Sequence, residues 1–247
     1  MNRGLVGTWL RLFVVQGSWN YDRMQGVGAA WAVEPLLRDL RQDGSDARYR
    51  AALGRATHAF NANPYLAGLA MAAVAKAEHE GVPPERIERF KVALASPLGS
   101  VGDRLVWAGA LPVASAIGIV LAATTERWWL AVAGFLLAYN VVHLTLRTWS
   151  LWTGWNAGTG VARALNGRSV QQALRLAGPL PAVAVSFAVP VAARWLTGDL
   201  NGGARIGVVL VALLGVVVGR WLAPALGGLR FGLLTIGVVL LAEVVWP

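Results

Sequence analysis

Apolar residues along this chain gather into long runs in the second half and into shorter, periodic stretches in the first. A helix needs roughly 20 mostly apolar residues to cross a bilayer core of ~30 Å. The runs 105–123, 128–146, 178–195, 206–222 and 231–246 approach that length and predict about five C-terminal membrane spans. Asn140 and His143 interrupt the second run, and Pro181 and Pro190 lie in the third. The fifth is short, and either begins as early as Ala223 or inserts only in part. Before residue 105 the spacing predicts helices instead. Residues 23–41 carry Val27, Ala30, Trp31 and Leu37 at helical intervals, with a kink at Pro35. Residues 46–60 form an amphipathic stretch stopped by Asn61-Ala-Asn63-Pro64. The Ala-rich stretch 65–80 reads either as buried in protein or as dipping into the bilayer. Residues 84–95 open with Glu85 and Glu88, acids suited to a helix N-terminus. The expected fold is all-α: an N-terminal helical region, 1–104, partly membrane-embedded, and a polytopic transmembrane region, 105–247.

Charge follows the same division. Residues 1–104 hold 13 basic and 10 acidic side chains, and residues 105–247 hold 9 and 3. The net charge of +9 comes mostly from Arg at segment ends, without a basic patch interleaved with aromatics. That pattern fits cytoplasmic membrane loops rather than nucleic acid. The stretch 147–175 carries Arg147, Arg163, Arg168 and Arg175 and no acid, which places it in the cytoplasm as a loop. The basic N-terminal region then lies on the same side, and Glu126 and Asp199 fall in short opposite loops. Many of the 12 Trp flank the apolar runs, where an indole suits the membrane interface. Cysteine is absent, which excludes disulfides, thiolate metal sites and Cys nucleophiles. Arg3 and Arg11 interrupt residues 1–15, and no small-residue cleavage site precedes Gln16, so this stretch does not read as a signal peptide.

Polar chemistry concentrates in four places. Gln16-Gly-Ser-Trp19-Asn20-Tyr-Asp-Arg23-Met-Gln25 packs amide, indole, hydroxyl, guanidinium and carboxylate groups into ten residues. Asn61-Ala-Asn63-Pro64-Tyr65 stands at a helix break, and alone it reads first as a cap and turn. Lys91-Val92…Ser96-Pro97-Leu98-Gly99-Ser100-Val101-Gly102-Asp103 enters the first span, and its glycines read as a hinge. They do not make a phosphate loop, since no Gly-Lys-Ser/Thr occurs. Asn140, His143 and Arg147 share one helix face, where a histidine packed between helices is the plain alternative to a functional one. Amides and carboxylates hydrogen-bond sugar hydroxyls, and an aromatic face covers the C–H side of a pyranose ring. Asp103 at a membrane boundary needs a partner or a polar substrate.

These clusters, in this order, resemble the IID component of bacterial phosphotransferase systems of the mannose/fructose/sorbose type. The family string Gln-Gly-Ser-Trp-Asn-(Phe/Tyr)-(Glu/Asp)-Arg-Met-Gln is met at residues 16–25. Phe60, Asn61, Pro64 and Tyr65 meet a second motif, and Lys91, Val92, Pro97, Leu98, Val101, Gly102 and Asp103 a third. Asn140, Arg147, Gly154 and Gly158 meet a fourth, and beyond about residue 160 only the hydropathy corresponds. The resemblance implies a multi-pass subunit of the bacterial inner membrane, with its N-terminus cytoplasmic. It would pair with enzyme IIC to bind and move a hexose, while IIA and IIB phosphocarrier proteins deliver phosphate. A multimer of IIC–IID pairs with elevator-like motion is implied, with no catalytic residue, metal or cofactor in this chain, and so no phosphorylation of His58, His79 or His143. The implied substrate-binding residues are Gln16, Trp19, Asn20, Arg23, Gln25, Asn61, Asn63 and Asp103, and the implied hinge is Pro97, Gly99 and Gly102. Arg104 stands where the family usually has Pro, Ser96 and Ser100 where it has Gly, His143 where it has Arg, Ala157 where it has Lys, and the tail is shorter. These departures keep a second reading open, a IID-like regulatory or scaffold subunit without transport.

Overall fold

In the computed structural model, residues 3–41, 46–125 and 127–196 are described, together with the single positions 198 and 203. They form ten α-helices: α1 (Arg3–Arg11), α2 (Gly26–Leu37), α3 (Ala47–Ala56), α4 (Ala67–His79), α5 (Pro84–Leu105), α6 (Leu111–Thr125), α7 (Trp128–Ala157), α8 (Val161–Leu165), α9 (Arg168–Leu176) and α10 (Pro179–Leu196). The chain divides into two units, Met1–Ala192 and Ala193–Pro247. The first holds α1 to α9 and most of α10. The shift in composition at residue 104 falls inside that unit, on α5.

The core of the first unit is α4. Ala67, Leu69, Ala70, Ala72, Ala73, Ala75 and Ala77 are all wholly buried, so this stretch is sheathed in protein. Its small side chains let neighbouring backbones approach. A Cβ at Gly154 of α7 would lie 2.3 Å from the Leu69 carbonyl oxygen, and one at Gly68 would lie 2.9 Å from Ser150 Oγ. Helix α2 is apolar over most of its surface and buries Ala29, Ala32, Val33, Leu36 and Leu37. Pro35 sits within it and packs against Gly4 and Gly7 of α1. The indole of Trp9 donates to Thr148 Oγ1 at 3.0 Å and ties α1 to α7.

Among the described residues, three helical stretches are long and apolar enough to cross a membrane: Pro84–Thr125, Trp128–Leu165 and Arg168–Leu196. The first contains the expected span 105–123, the second contains 128–146 and the third contains 178–195. The runs 206–222 and 231–246 lie outside the described residues. Two expectations change. Residues 97–103 do not break the helix: α5 continues through Pro97, Gly99 and Gly102 to Leu105. Pro97 removes one backbone donor, but Leu94, Leu98 and Gly102 are buried on this helix, and packing outweighs the local propensity. The irregularity comes later, as a π-helical segment at Val106–Ala110. Second, 147–175 is helical rather than a loop. Helix α7 runs to Ala157, followed by α8 and α9, and Arg147 is buried on α7 instead of standing in solvent.

Candidate functional site

The segment between α1 and α2 is a self-bonded turn. The Asn20 side-chain oxygen accepts from the backbone N–H groups of Asp22 (3.1 Å) and Arg23 (2.9 Å), and its Nδ2 donates to the Ser18 carbonyl (3.2 Å). The backbones of Asn20 and Met24 exchange two hydrogen bonds, with Met24 at φ 53°, in the left-handed region that non-glycine residues rarely enter. The turn then lies alongside the chain before α4. The Phe60 N–H donates to the Arg23 carbonyl, and the Gln25 N–H donates to the Phe60 carbonyl. Gln25 is buried, and its amide works like an extra strand residue: Nε2 donates to the Ala62 carbonyl (2.7 Å) and Oε1 accepts from the Ala62 N–H.

Behind this pairing stands Lys91 of α5, also buried. Its ammonium donates to the carbonyls of Arg55 (3.1 Å), Ala56 (2.8 Å) and His58 (2.8 Å). These carbonyls stand at the end of α3 and just beyond it, and that of Arg55 also accepts from the His58 N–H. The segment carrying Asn61 and Asn63 is thus held from two sides. Asn63 is buried; its Oδ1 accepts from the Tyr65 N–H (3.1 Å) and its Nδ2 donates to Asp103 Oδ1 (2.9 Å). Gly102 permits this contact, because a Cβ there would lie 2.2 Å from Asn63 Cβ.

These elements enclose a polar cavity of about 340 Å³ lined by Gln16, Gln25, Asn61, Ala62, Asn63, Pro64, Ala95, Ser96, Gly99, Asp103 and Trp107. That volume is at the small end for small-molecule sites, roughly 300–1,000 Å³. Five of the eight expected binding residues meet here: Gln16, Gln25, Asn61, Asn63 and Asp103. Trp19, Asn20 and Arg23 do not line it. Trp19 is exposed and stands edge-on to Tyr21 at 5.1 Å; Asn20 closes the turn. Of the expected hinge, Gly99 lines the cavity, Gly102 packs beneath Asn63, and Pro97 does neither. Sequence reasoning missed Ser96 and Trp107 as lining residues. Ser96, Gly99 and Asp103 recur at three and four, a spacing that places them on one helix face. Trp107 was legible only as an interfacial indole. Among the described residues no hydrogen bond engages the side chains of Gln16, Asn61 or Ser96, and no cluster of three His, Asp or Glu could hold a metal ion.

A second polar group adjoins the first through Tyr65, whose ring lies 5.7 Å from that of Trp107. The Tyr65 and Tyr139 hydroxyls are 2.5 Å apart. Along α7, His143 Nδ1 is 3.2 Å from Asn140 Oδ1, and Arg147 Nε donates to His143 Nε2 at 3.3 Å. Arg147 is 3% exposed and faces no carboxylate among the described residues. Its guanidinium sits over the Phe13 ring (4.5 Å) and near that of Tyr65 (5.6 Å), while Nη1 is buried without an acceptor. Aromatic faces stand in for a counter-ion here.

Ion pairs fix the base of the unit. Glu34 of α2 takes Arg38 and Arg11 at 2.8 Å each and the Tyr49 hydroxyl at 3.2 Å. Hydrogen bonds from Arg38 lower its pKa most; burial opposes, Arg11 and Tyr49 add to the lowering, and the result is about 2. Glu78 of α4 holds Arg55 of α3 through two hydrogen bonds, and that carboxylate raises the guanidinium's pKa.

Residues 2–193 match the family described as PTS system mannose/fructose/sorbose family IID component. The mannose-specific EIID component of Escherichia coli (strain K12) is 29% identical over 171 residues, covering 67% of this chain and 59% of that protein. The sorbose-specific EIID component of Klebsiella pneumoniae is 30% identical over 173 residues, covering 68% and 62%. This chain therefore spans about three fifths of the length of these curated relatives. Two solved structures share its fold. One is a cryo-EM structure of the mannose transporter ManYZ with microcin E492, at TM-score 0.59 and 22% identity, covering 99% of this chain and 95% of that one. The other is described as a membrane protein, at TM-score 0.75 and 19% identity, covering 99% and 97%. With 192 of its residues matched, the chain belongs to the mannose/fructose/sorbose family of phosphotransferase-system IID components.

Proposed function

We propose that this chain is the membrane IID subunit of a mannose-family phosphotransferase system. It forms, with a IIC subunit, the path by which a hexose enters a bacterial cell while IIA and IIB phosphorylate it. One observation carries the reading: three motifs distant in sequence converge on one polar cavity of sugar-compatible chemistry. The side chains of Gln16, Asn61 and Ser96 have donors and acceptors to offer hydroxyls, and Asp103 keeps a second carboxylate oxygen beside the one bound by Asn63. Trp107 supplies an aromatic face for the C–H side of the ring. Gln25 and Asn63 act mainly as the frame, since protein groups already hold their amides.

The exposed Arg163, Arg168 and Arg175, with no acid among them, support placing α9 and the N-terminal region, 1–104, on the cytoplasmic side of the inner membrane. Assembly as a multimer of IIC–IID pairs and elevator-like movement of the sugar site belong to the same reading. The test is uptake into vesicles carrying this chain with its IIC partner, supplied inside with IIA, IIB and a phosphate donor. Accumulation of sugar phosphate supports the proposal, and Asn61→Ala and Asp103→Asn should abolish it. Sugar binding with no accumulation of sugar phosphate would instead establish the regulatory role. Uptake unchanged in both variants overturns the site.

A further inference from the structure

Two glycines three residues apart on α5 have opposite surroundings. At Gly102 a Cβ would collide with Asn63, so close approach explains the glycine. At Gly99 an added Cβ meets nothing within 4 Å among the described residues, and the backbone is ordinary helix without positive φ. Neither of the usual structural reasons for glycine applies there, and glycine inside a helix is less stable than alanine. What Gly99 does have is its position. Ala95, Ser96, Gly99 and Asp103 are the α5 residues that line the cavity, and Gly99 is at the centre of that face. A side chain at 99 would project from that face toward the space the cavity encloses.

We infer that Gly99 determines which sugars the cavity admits, with Ser96 one turn earlier supplying the adjacent hydroxyl. The inference rests on reading the cavity as a sugar site. The empty position leaves room for the ring and its substituents where any other residue would intrude. Ser96 is exposed, and its hydroxyl has no protein partner among the described residues, so it is available to a sugar hydroxyl. Gly99 therefore acts by volume and Ser96 by hydrogen bonding. Asn63, braced by Gly102, fixes the carboxylate of Asp103 beside them.

The experiment uses the full chain with its IIC partner in detergent, and measures binding of labelled mannose, fructose and N-acetylglucosamine together with thermal unfolding. Gly99→Ala and Gly99→Leu should unfold at or above the wild-type temperature. Binding should weaken by about tenfold for Ala and further for Leu, with the N-acetylated sugar losing most. Ser96→Ala should change the ranking of mannose against fructose without changing the unfolding temperature. Wild-type affinities and ranking in Gly99→Leu overturn the inference, as does a large fall in its unfolding temperature, which would mean the space is not open. If Asn61→Ala and Asp103→Asn abolish binding while both position-99 variants bind normally, the sugar site stands and only the role of Gly99 falls. If the wild type binds none of the three sugars, the sugar-site reading fails and this inference fails with it.

Discussion

Replacing Gly102 with alanine puts a methyl carbon 2.2 Å from Asn63 Cβ and 2.4 Å from its Cγ. Asn63 has little room to yield, because it is 2% exposed and is pinned by the Tyr65 N–H and by Asp103. Overpacking of this kind costs about 1–3 kcal/mol. Displacing Asn63 also breaks its hydrogen bond to a carboxylate, of the kind that contributes about 1.5–3 kcal/mol. Helix propensity returns about 1 kcal/mol. The net loss is therefore about 1.5–5 kcal/mol, equivalent to a fall of roughly 3–20 °C in unfolding temperature for a unit of this size. Tryptophan fluorescence during a thermal ramp in detergent reads it, with Gly99→Ala as the control whose methyl meets open space. Sugar binding should fall with stability in Gly102→Ala, since Asp103 loses its brace. An unfolding temperature for Gly102→Ala equal to that of Gly99→Ala would refute the close-approach reading.

Other perturbations follow from the same contacts. Glu34 has its pKa lowered from 4.5 to about 2, so the stability it contributes is complete above pH 4.5 and is lost as pH falls toward 2. That contribution is at most about 3 kcal/mol, and Glu34→Gln should flatten the acid limb of a stability-versus-pH curve. Lys91→Met leaves three carbonyls without their charged donor and should cost about 2–4 kcal/mol. Limited proteolysis should then show earlier cleavage within 57–63. Arg147→Met removes a buried cation that faces no carboxylate among the described residues, giving up the contacts with Phe13 and Tyr65 and the long hydrogen bond to His143 but also the unsatisfied Nη1. Its unfolding free energy should stay within about 1 kcal/mol of wild type, and a loss above about 3 kcal/mol would mean that the guanidinium is a structural keystone.

Much of the fold was legible because burial imposes a period. The apolar spacing of 23–41, 46–60 and 65–80 corresponds to α2, α3 and α4, and the starts of the runs at 128 and 178 fall within one residue of α7 and α10. The places where the sequence misled share a cause: a local signal was weighed without its tertiary surroundings. Pro97 between a serine and two glycines reads as part of a hinge, yet with Leu94, Leu98 and Gly102 buried the helix is continuous through it. Arg147 reads as the first charge of a cytoplasmic loop, yet Phe13, Tyr65 and His143 sheathe it on α7. Arginine tolerates such burial because its planar, weakly hydrated cation can stack on rings.

The polar site divides along a similar line. Residue type says how many hydrogen bonds a side chain can make, but only the folded chain says which are already taken. Asn20 and Gln25 are as polar as Asn61, and in the sequence nothing distinguishes them. Asn20 turns its amide back on its own loop, and Gln25 pairs with Ala62. Asn61 alone of the three leaves its amide unengaged while lining the cavity. The ten-residue string at 16–25 is therefore mostly a device for building a turn and fastening it to the segment before α4. That fastening places Gln16, Asn61 and Asn63 opposite the α5 face that carries Ser96, Gly99 and Asp103. A motif of this kind can match a family in full and still contribute only one free side chain to a ligand. Substitutions in the string should accordingly divide into two groups. Changes at Asn20 and Gln25 lower the unfolding temperature and binding together, whereas changes at Gln16 lower binding alone.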